Sequence, residues 1–330
     1  MKKLVASLIC IVLLLSTFSF HTYAQENSAY EETKQEISLE YLSVSVVDGK
    51  QLRYTPKGTF LTQRKALNEK VKLDLLLEKM PEYKKVLIEA MNHNTPIHTV
   101  SVVDVPLVFK GDHYERVKKE PHSLLHLLIA PLFLTASAAD SNAGAESPRG
   151  NFVMAMSISK VFNNQEQRYK YMTITTGQWN AHSVIGGQNY PAMGEDIVAV
   201  TSPLGTIMDT SNLSAVYSNY NGQTREGKNT GNFPDFWKED SNDNYCAYAI
   251  KEDPLWSYQL DYFSAVTTFF GGNSSKTRKA VSKYVHSWSS VQFEIEINIP
   301  MSSEEVTTIS IIPNHIEKTW ECACDVIFNF

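Results

Sequence analysis

The chain has 330 residues, 43% of them hydrophobic and 20% charged, with a formal net charge of −6 at pH 7. That apolar share is that of a globular protein with a real core, in one large domain or two modest ones. An acidic chain without a Lys/Arg cluster repels phosphate backbones, so nucleic acid is excluded as a partner.

The first residues read as a secretory leader. Lys2 and Lys3 precede an uncharged apolar run from Leu4 to Leu15, and Ser16 to Ala24 ends in Thr22-Tyr23-Ala24. Small residues one and three positions before the cut fit the shallow pockets of signal peptidase, so cleavage is expected after Ala24. The apolar run is shorter than the roughly 20 residues of a helical membrane span. Cys10 lies inside it and follows Ser7-Leu8-Ile9, which is not a lipobox. The expected location is secreted or extracellular, with cell-wall association open. Loss of Lys2 and Lys3 leaves a charge of −8. Residues 25–139 balance at 15 acidic and 15 basic, whereas residues 140–330 carry 21 acidic and 13 basic.

Residues 25–139 read as a small α+β region. Residues 37–47 alternate as a strand, Asp48-Gly49 is a hairpin turn, and Gln51 to Thr55 returns. Thr62 stands where a helix cap belongs, with Leu67, Val71 and Leu75 at helical spacing as the apolar face. Pro81 opens a second helix, where its missing N–H costs nothing, and Tyr83, Val86, Leu87, Ala90 and Met91 share a face. Residues 97–109 read as one or two strands.

The segment 124–139 is nearly all apolar, broken by His126 and Pro131, and ends in Ala136-Ser137-Ala138-Ala139. Three readings stand open: a buried packing segment, a membrane-inserting segment, and the end of a removed pro-region. Residues 140–150 are small and polar, contain Pro148 and Gly150, and read as a linker. Residues 151–330 then form an acidic domain of antiparallel, sandwich-like β structure. Expected strands are 152–162 and 169–179 as a hairpin, then 196–200, 258–270, 291–299, 306–312 and 322–330. Residues 212–243, rich in Asn, Gly, Asp and Ser, read as loops.

The motifs of common chemistries are missing. There is no G-x-S-x-G elbow, no H-E-x-x-H and no phosphate-cradling loop, and Ser157 to Lys160 matches S-x-x-K without a K-T-G partner. Cys246 with His286 or His315 would be a nucleophile–base pair without local support. His122 and His126 stand four apart, and Asp240 to Asn244 opens like a calcium loop but lacks its later glycine and glutamate. Glu195 and Asp196 point to opposite faces of a strand, while Glu294 and Glu296 share a wet one. No catalytic, cofactor-binding or metal residue is therefore assigned, and no cofactor is expected. With Cys10 lost, Cys246, Cys322 and Cys324 are an odd set in which Cys246 could bridge to Cys322 or Cys324. All five tryptophans follow the linker. Trp179, Trp237 and Trp256 are the candidate ligand-binding aromatics, since an exposed indole face stacks on a sugar ring.

Two strings, Tyr190-Pro191-Ala192-Met193-Gly194-Glu195-Asp196-Ile197 and Lys283-Tyr284-Val285-His286-Ser287-Trp288, occur with the late Trp320. In these the second half resembles a group of uncharacterised exported proteins of Gram-positive, Bacillus-like bacteria. The resemblance implies export and that source, and no activity.

The leading expectation is a non-enzymatic extracellular or wall-associated binding protein with carbohydrate or cell wall as partner. The alternatives are a secreted hydrolase whose site is assembled from distant residues, and a membrane-active, toxin-like protein using segment 124–139.

Overall fold

The computed structural model describes residues 33–47, 50–59, 62–91, 97–109, 114–117, 150–163, 166–180, 194–201, 206–219, 222–231, 234–251, 258–271, 278–288, 292–298 and 308–328. In chain order the first elements are β1 (Thr33–Ser38), β2 (Leu42–Val47), β3 (Gln51–Pro56), α1 (Gln63–Lys79), α2 (Pro81–Ala90), β4 (Ile97–Phe109) and β5 (Tyr114–Arg116). Then follow β6 (Gly150–Asn163), β7 (Arg168–Trp179), β8 (Glu195–Thr201), β9 (Thr206–Ser218), β10 (Thr224–Glu226), β11 (Phe236–Asn242) and β12 (Tyr245–Lys251). The last are β13 (Gln259–Gly271), β14 (Arg278–Ser287), β15 (Phe293–Asn298), β16 (Thr308–Pro313) and β17 (Thr319–Phe328). The chain is thus mostly antiparallel β structure, with its helices near the N-terminal end of the described residues.

A large sheet runs β1-β4-β6-β7-β13-β9-β10, with β5 also paired to β4, and a smaller one runs β11-β12-β8-β14-β17. Their inner faces share one core. Phe152, Met154, Trp179, Tyr217 and Phe263 of the large sheet meet Val198, Val200, Tyr248, Tyr284, Trp320 and Cys324 of the small one. Two further layers cover the outer faces. On the large sheet, Leu73, Leu76 and Leu77 of α1, Tyr83 and Leu87 of α2, and Val44 of the β2–β3 hairpin bury Val100, Val102, Ala155 and Ile174. On the small sheet, Ile309 and Ile311 of the β15–β16 hairpin cover Ile197, Ala199, Ala247, Ala249 and Val285.

This layering explains which strands the sequence displays. Where one face is wet, residues alternate, as in β2 with its regular buried and half-buried pattern. β8 and β12 are covered on both sides and buried almost throughout, so they read as short unbroken apolar runs. The region 212–243, expected as loops, holds most of β9 together with β10 and β11. In β9, Leu213, Ala215 and Tyr217 are buried while Asn212 and Ser214 are exposed, so its polar residues form the wet face of a strand.

The division into a small first region and a separate β domain is corrected on one point. β1 and β4, which precede residue 140, pair within the same sheet as β6. Hydrogen bonding therefore crosses the expected boundary, and one core serves both sides of it. Segment 118–149, which includes most of the expected linker, lies outside the described residues.

Both expected helices form, and Pro81 begins α2. Thr62 precedes α1 without capping it: its hydroxyl donates to the carbonyls of Lys57 (2.9 Å) and Thr59 (2.7 Å). The face of α1 is also reversed from expectation. Ala66, Leu73, Leu76 and Leu77 are buried, whereas Leu67, Val71 and Leu75 are exposed.

Candidate functional site

β5 and β6, which flank residues 118–149 in the chain, both pair with β4. Arg116 and Gly150 are both in register with Leu107, on opposite sides of β4. Two strand spacings of about 4.8 Å separate them. These two positions, the described roots on either side of residues 118–149, therefore stand at one level of the sheet.

Each root is anchored. On the outgoing side, Val117 N–H donates to Pro106 O (3.1 Å). The Trp320 indole N–H donates to Tyr114 O (3.3 Å), and Arg116 donates to Glu321 O (3.3 Å), so β17 of the small sheet holds β5. On the returning side, Asn151 Nδ2 donates to Asp104 Oδ1 (2.6 Å), and Asn180 N–H donates to Asn151 O (2.8 Å). The Phe152 ring meets Trp179 edge-on at 5.2 Å and stacks on Tyr284 at 4.5 Å.

Beneath the roots lies a buried polar knot within an aromatic shell. Asp196 and His286 are both fully buried. Asp196 Oδ1 accepts the Ser287 backbone N–H (3.0 Å) and faces His286 Nδ1 (3.1 Å), while Oδ2 accepts the Tyr284 hydroxyl. The imidazole lies 5.0 Å from the Trp179 ring, 5.2 Å from Trp320 and 6.1 Å from Trp288. β8 supplies Asp196, β14 supplies Tyr284, His286 and Ser287, and β17 supplies Trp320. Asp196 of the first string quoted above, Tyr284, His286 and Ser287 of the second, and the late Trp320 thus converge on one cluster. No local motif announces it, because Asp196 and His286 are 90 positions apart.

Gly194 is required at the entry to this knot. A Cβ there would lie 2.0 Å from Ser287 O and 2.7 Å from Ser287 Oγ. That close approach lets Ser287 Oγ donate to Glu195 O (2.8 Å), which locks the start of β8 onto the end of β14.

The other candidate residues are dispersed. Trp179 is 2% exposed and belongs to the intersheet core, which corrects its assignment as an exposed ligand-stacking indole. Trp237 is half-buried on the outer face of the small sheet; its indole N–H donates to Glu239 Oε2 (2.6 Å), and Lys251 Nζ lies 5.6 Å from its ring. Burial raises the Glu195 carboxyl above its ordinary range, Lys251 opposes this, and Glu239 adds to it. Trp256 lies outside the described residues, as do His122, His126, residues 190–193 and all of segment 124–139.

The expected disulfide is corrected as well. Cys246, Cys322 and Cys324 are free and buried. Cys246 is on β12 and the other two are on β17, with β8 and β14 between. Across about 14 Å no bond forms, because bridged Cα atoms lie within about 7 Å. Cys246 receives the Ser211 hydroxyl (2.8 Å), and burial raises its thiol above the ordinary value, the opposite of an activated nucleophile. In register it faces Val200 and, through it, Ser282, four positions along β14 from His286, so it forms no pair with that imidazole. The calcium-like stretch forms the β11–β12 turn, where Asn242 Oδ1 accepts the N–H groups of Asn244 (2.8 Å) and Tyr245 (3.2 Å). Among the described residues, no group of three or more His, Cys, Asp or Glu residues is arranged to hold a metal. No helix among them is long and apolar enough to cross a membrane.

No protein-family model matches the chain, and no curated protein matches it. Among solved structures it is similar to a pore forming protein at 10% identity and a TM-score of 0.31, covering 54% of this chain and 87% of that one. It is also similar to Clostridium perfringens delta-toxin at 8% identity and TM-score 0.28, covering 69% of this chain and 94% of that one. A third likeness is to the Clostridium perfringens NetB toxin in the membrane inserted form, at 7% identity and TM-score 0.23, covering 72% and 92%. At these scores the likenesses carry no argument.

Proposed function

We propose that this is a secreted, non-enzymatic protein that acts on membranes through the apolar segment 124–139. The observation that supports the reading is the position of the two described residues that flank the segment. In the chain it lies between Arg116 and Gly150, which are in register with the same residue, Leu107, on either side of β4. The β4–β5 and β4–β6 ladders are complete without residues 118–149. Residues 124–139 carry no charge.

Physical chemistry limits how such a segment enters lipid. The run is shorter than the roughly 20 residues of a helical span and contains Pro131. A membrane strand needs only about 9–11 residues, so residues 118–149 have room for two strands and a turn. A single hairpin in hydrocarbon would leave strand edges unpaired, and closure with other copies of the chain satisfies them. Export follows from the leader at residues 1–24.

Dye-loaded vesicles test the proposal. The protein starting at Gln25 is expected to release the dye, and Leu128→Asp to abolish release while leaving the circular dichroism spectrum unchanged. No release from any vesicle, or release unaffected by Leu128→Asp, overturns the reading.

A second reading rests on Trp237. Its half-buried ring, beside Glu239 and Lys251, offers an aromatic face with polar groups at its rim. That combination suits an extracellular carbohydrate or wall glycan. Quenching of tryptophan emission by glycan fragments, lost in Trp237→Ala, supports it; equal quenching in both proteins removes it.

A further inference from the structure

We infer that the outer face of α1 is a docking surface for an anionic lipid membrane; the inference rests on the membrane-acting reading and names a second contact for it. α1 is apolar on two sides. Its inner side buries Ala66, Leu73, Leu76 and Leu77 against the large sheet's cover. Its outer side presents Leu67 (58% exposed), Val71 (50%) and Leu75 (55%). These three stand four residues apart on consecutive turns, which makes one continuous stripe along the helix. The other large exposed hydrophobics among the described residues, Ile207, Ile312, Ile316 and Ile327, stand singly on four different elements. Isolated apolar residues need no explanation, whereas a stripe left in water marks a surface that meets a partner.

The charges beside the stripe select the partner. Arg64 and Lys79 are exposed beside the stripe with Glu78, exposed Lys72 lies on one flank, and Lys70 and half-buried Asp74 lie on the other, so Lys and Arg outnumber the carboxylates four to two. Arg64, Lys72 and Lys79 have no ion pair among the described residues, whereas Lys70 is tied to Asp74 (2.6 Å). The chain as a whole carries −6, so this face is positive against the sign of the molecule. A Leu/Val stripe edged by Lys and Arg is the composition of a helix lying in a bilayer interface. There the aliphatic residues enter the acyl boundary, and the long basic side chains reach the phosphates. A second copy of the chain fits less well. Its face carries the same excess of Lys and Arg and so offers those side chains few anionic groups.

Flotation of the intact mature protein with lipid vesicles tests this. The expected result is stronger binding to phosphatidylcholine containing phosphatidylglycerol than to phosphatidylcholine alone, declining as salt rises. The triple variant Leu67→Ser/Val71→Ser/Leu75→Ser should lower partitioning by about tenfold or more, from the apolar area lost. Arg64→Gln/Lys72→Gln/Lys79→Gln should remove the preference for phosphatidylglycerol. Because these side chains are exposed, both variants should keep the wild-type melting temperature. Leu128→Asp should still float with vesicles while failing to release dye, which separates docking from insertion. If the stripe variant floats like the wild type, the inference is overturned, whatever dye release shows. It is likewise overturned if the stripe variant changes the oligomeric mass in lipid-free solution and leaves flotation intact, since the stripe then joins copies of the chain. If the stripe variant loses flotation while Leu128→Asp releases dye normally, docking by α1 stands and the role proposed for segment 124–139 fails.

Discussion

Cys246 and Cys324 stand in one row across the small sheet, three strands apart. Cys246 is in register with Val200, Val200 with Ser282, and Ser282 with Cys324, and both thiols lie in the core between the two sheets. The separation, about 14 Å, forbids a bond between them. Intact mass of the isolated protein should therefore show no loss of two hydrogens. A thiol reagent should label Cys246, Cys322 and Cys324 in denaturant and none of them rapidly in the native state, because all three are buried. A disulfide in the native protein would contradict this arrangement.

Asp196 gathers the Ser287 N–H, the Tyr284 hydroxyl and His286 Nδ1 in a site with no exposed surface. Asp196→Ala leaves all three without that acceptor. Breaking a buried pair of this kind costs about 3–5 kcal/mol. Urea unfolding monitored by tryptophan emission should report a loss in that range, and a loss below about 1 kcal/mol would mean the knot contributes little to the fold.

Gly194→Ala tests the contact between β8 and β14. The new methyl would sit 2.0 Å from Ser287 O, so either β8 or the end of β14 has to shift. Overpacking of this kind costs roughly 1–3 kcal/mol. The melting temperature should fall, and a wild-type value would show that the strands approach less closely than described.

His98 links stability to pH. Burial chiefly, helped by Lys57 and Lys160, holds its imidazole below the ordinary value of 6.5. The folded chain therefore resists the proton that the unfolded chain accepts. His98 costs nothing above pH 6.5, and stability is lost as pH falls from there through the lower folded value. Melting temperatures measured across that window should drop more steeply for the wild type than for His98→Gln. Parallel curves would remove His98 as a contributor.

Trp179 and Trp237 should respond differently to truncation. Trp179→Ala removes a core ring packed on Phe152, His286 and Trp320, and such losses cost about 3–5 kcal/mol. Trp237→Ala removes a half-buried ring and should cost distinctly less. Equal losses in chemical denaturation would place Trp237 in the core and weaken the second reading of function.

The fold was legible wherever local pattern and burial agree. The Phe152 and Tyr169 runs form the paired strands β6 and β7, Asp48-Gly49 falls between β2 and β3, and Pro81 opens α2. Pattern failed where burial departs from a single wet face. β12 is covered on both sides and shows no alternation; β9 is an outer strand whose polar residues resemble a loop. α1 failed for a third reason: it has two apolar stripes, and spacing alone does not tell which one meets the sheet. The cluster at the roots was invisible for want of proximity in sequence, although Asp196, His286 and Trp320 each stood in view.

By itself the sequence determined the β-rich class, the helices near the start of the described chain and the uncharged run at 124–139. Each of these is a property of neighbours along the chain: hydrophobic period, turn chemistry, charge. Only the tertiary structure decided that Cys246 and Cys324 stay apart, that Trp179 lies in the core and that Leu67, Val71 and Leu75 face outward. It also decided that Arg116 and Gly150 both come into register with Leu107. Those outcomes depend on which strands pair and which faces are covered, and strand order joins residues a hundred positions apart through contacts that no local pattern encodes.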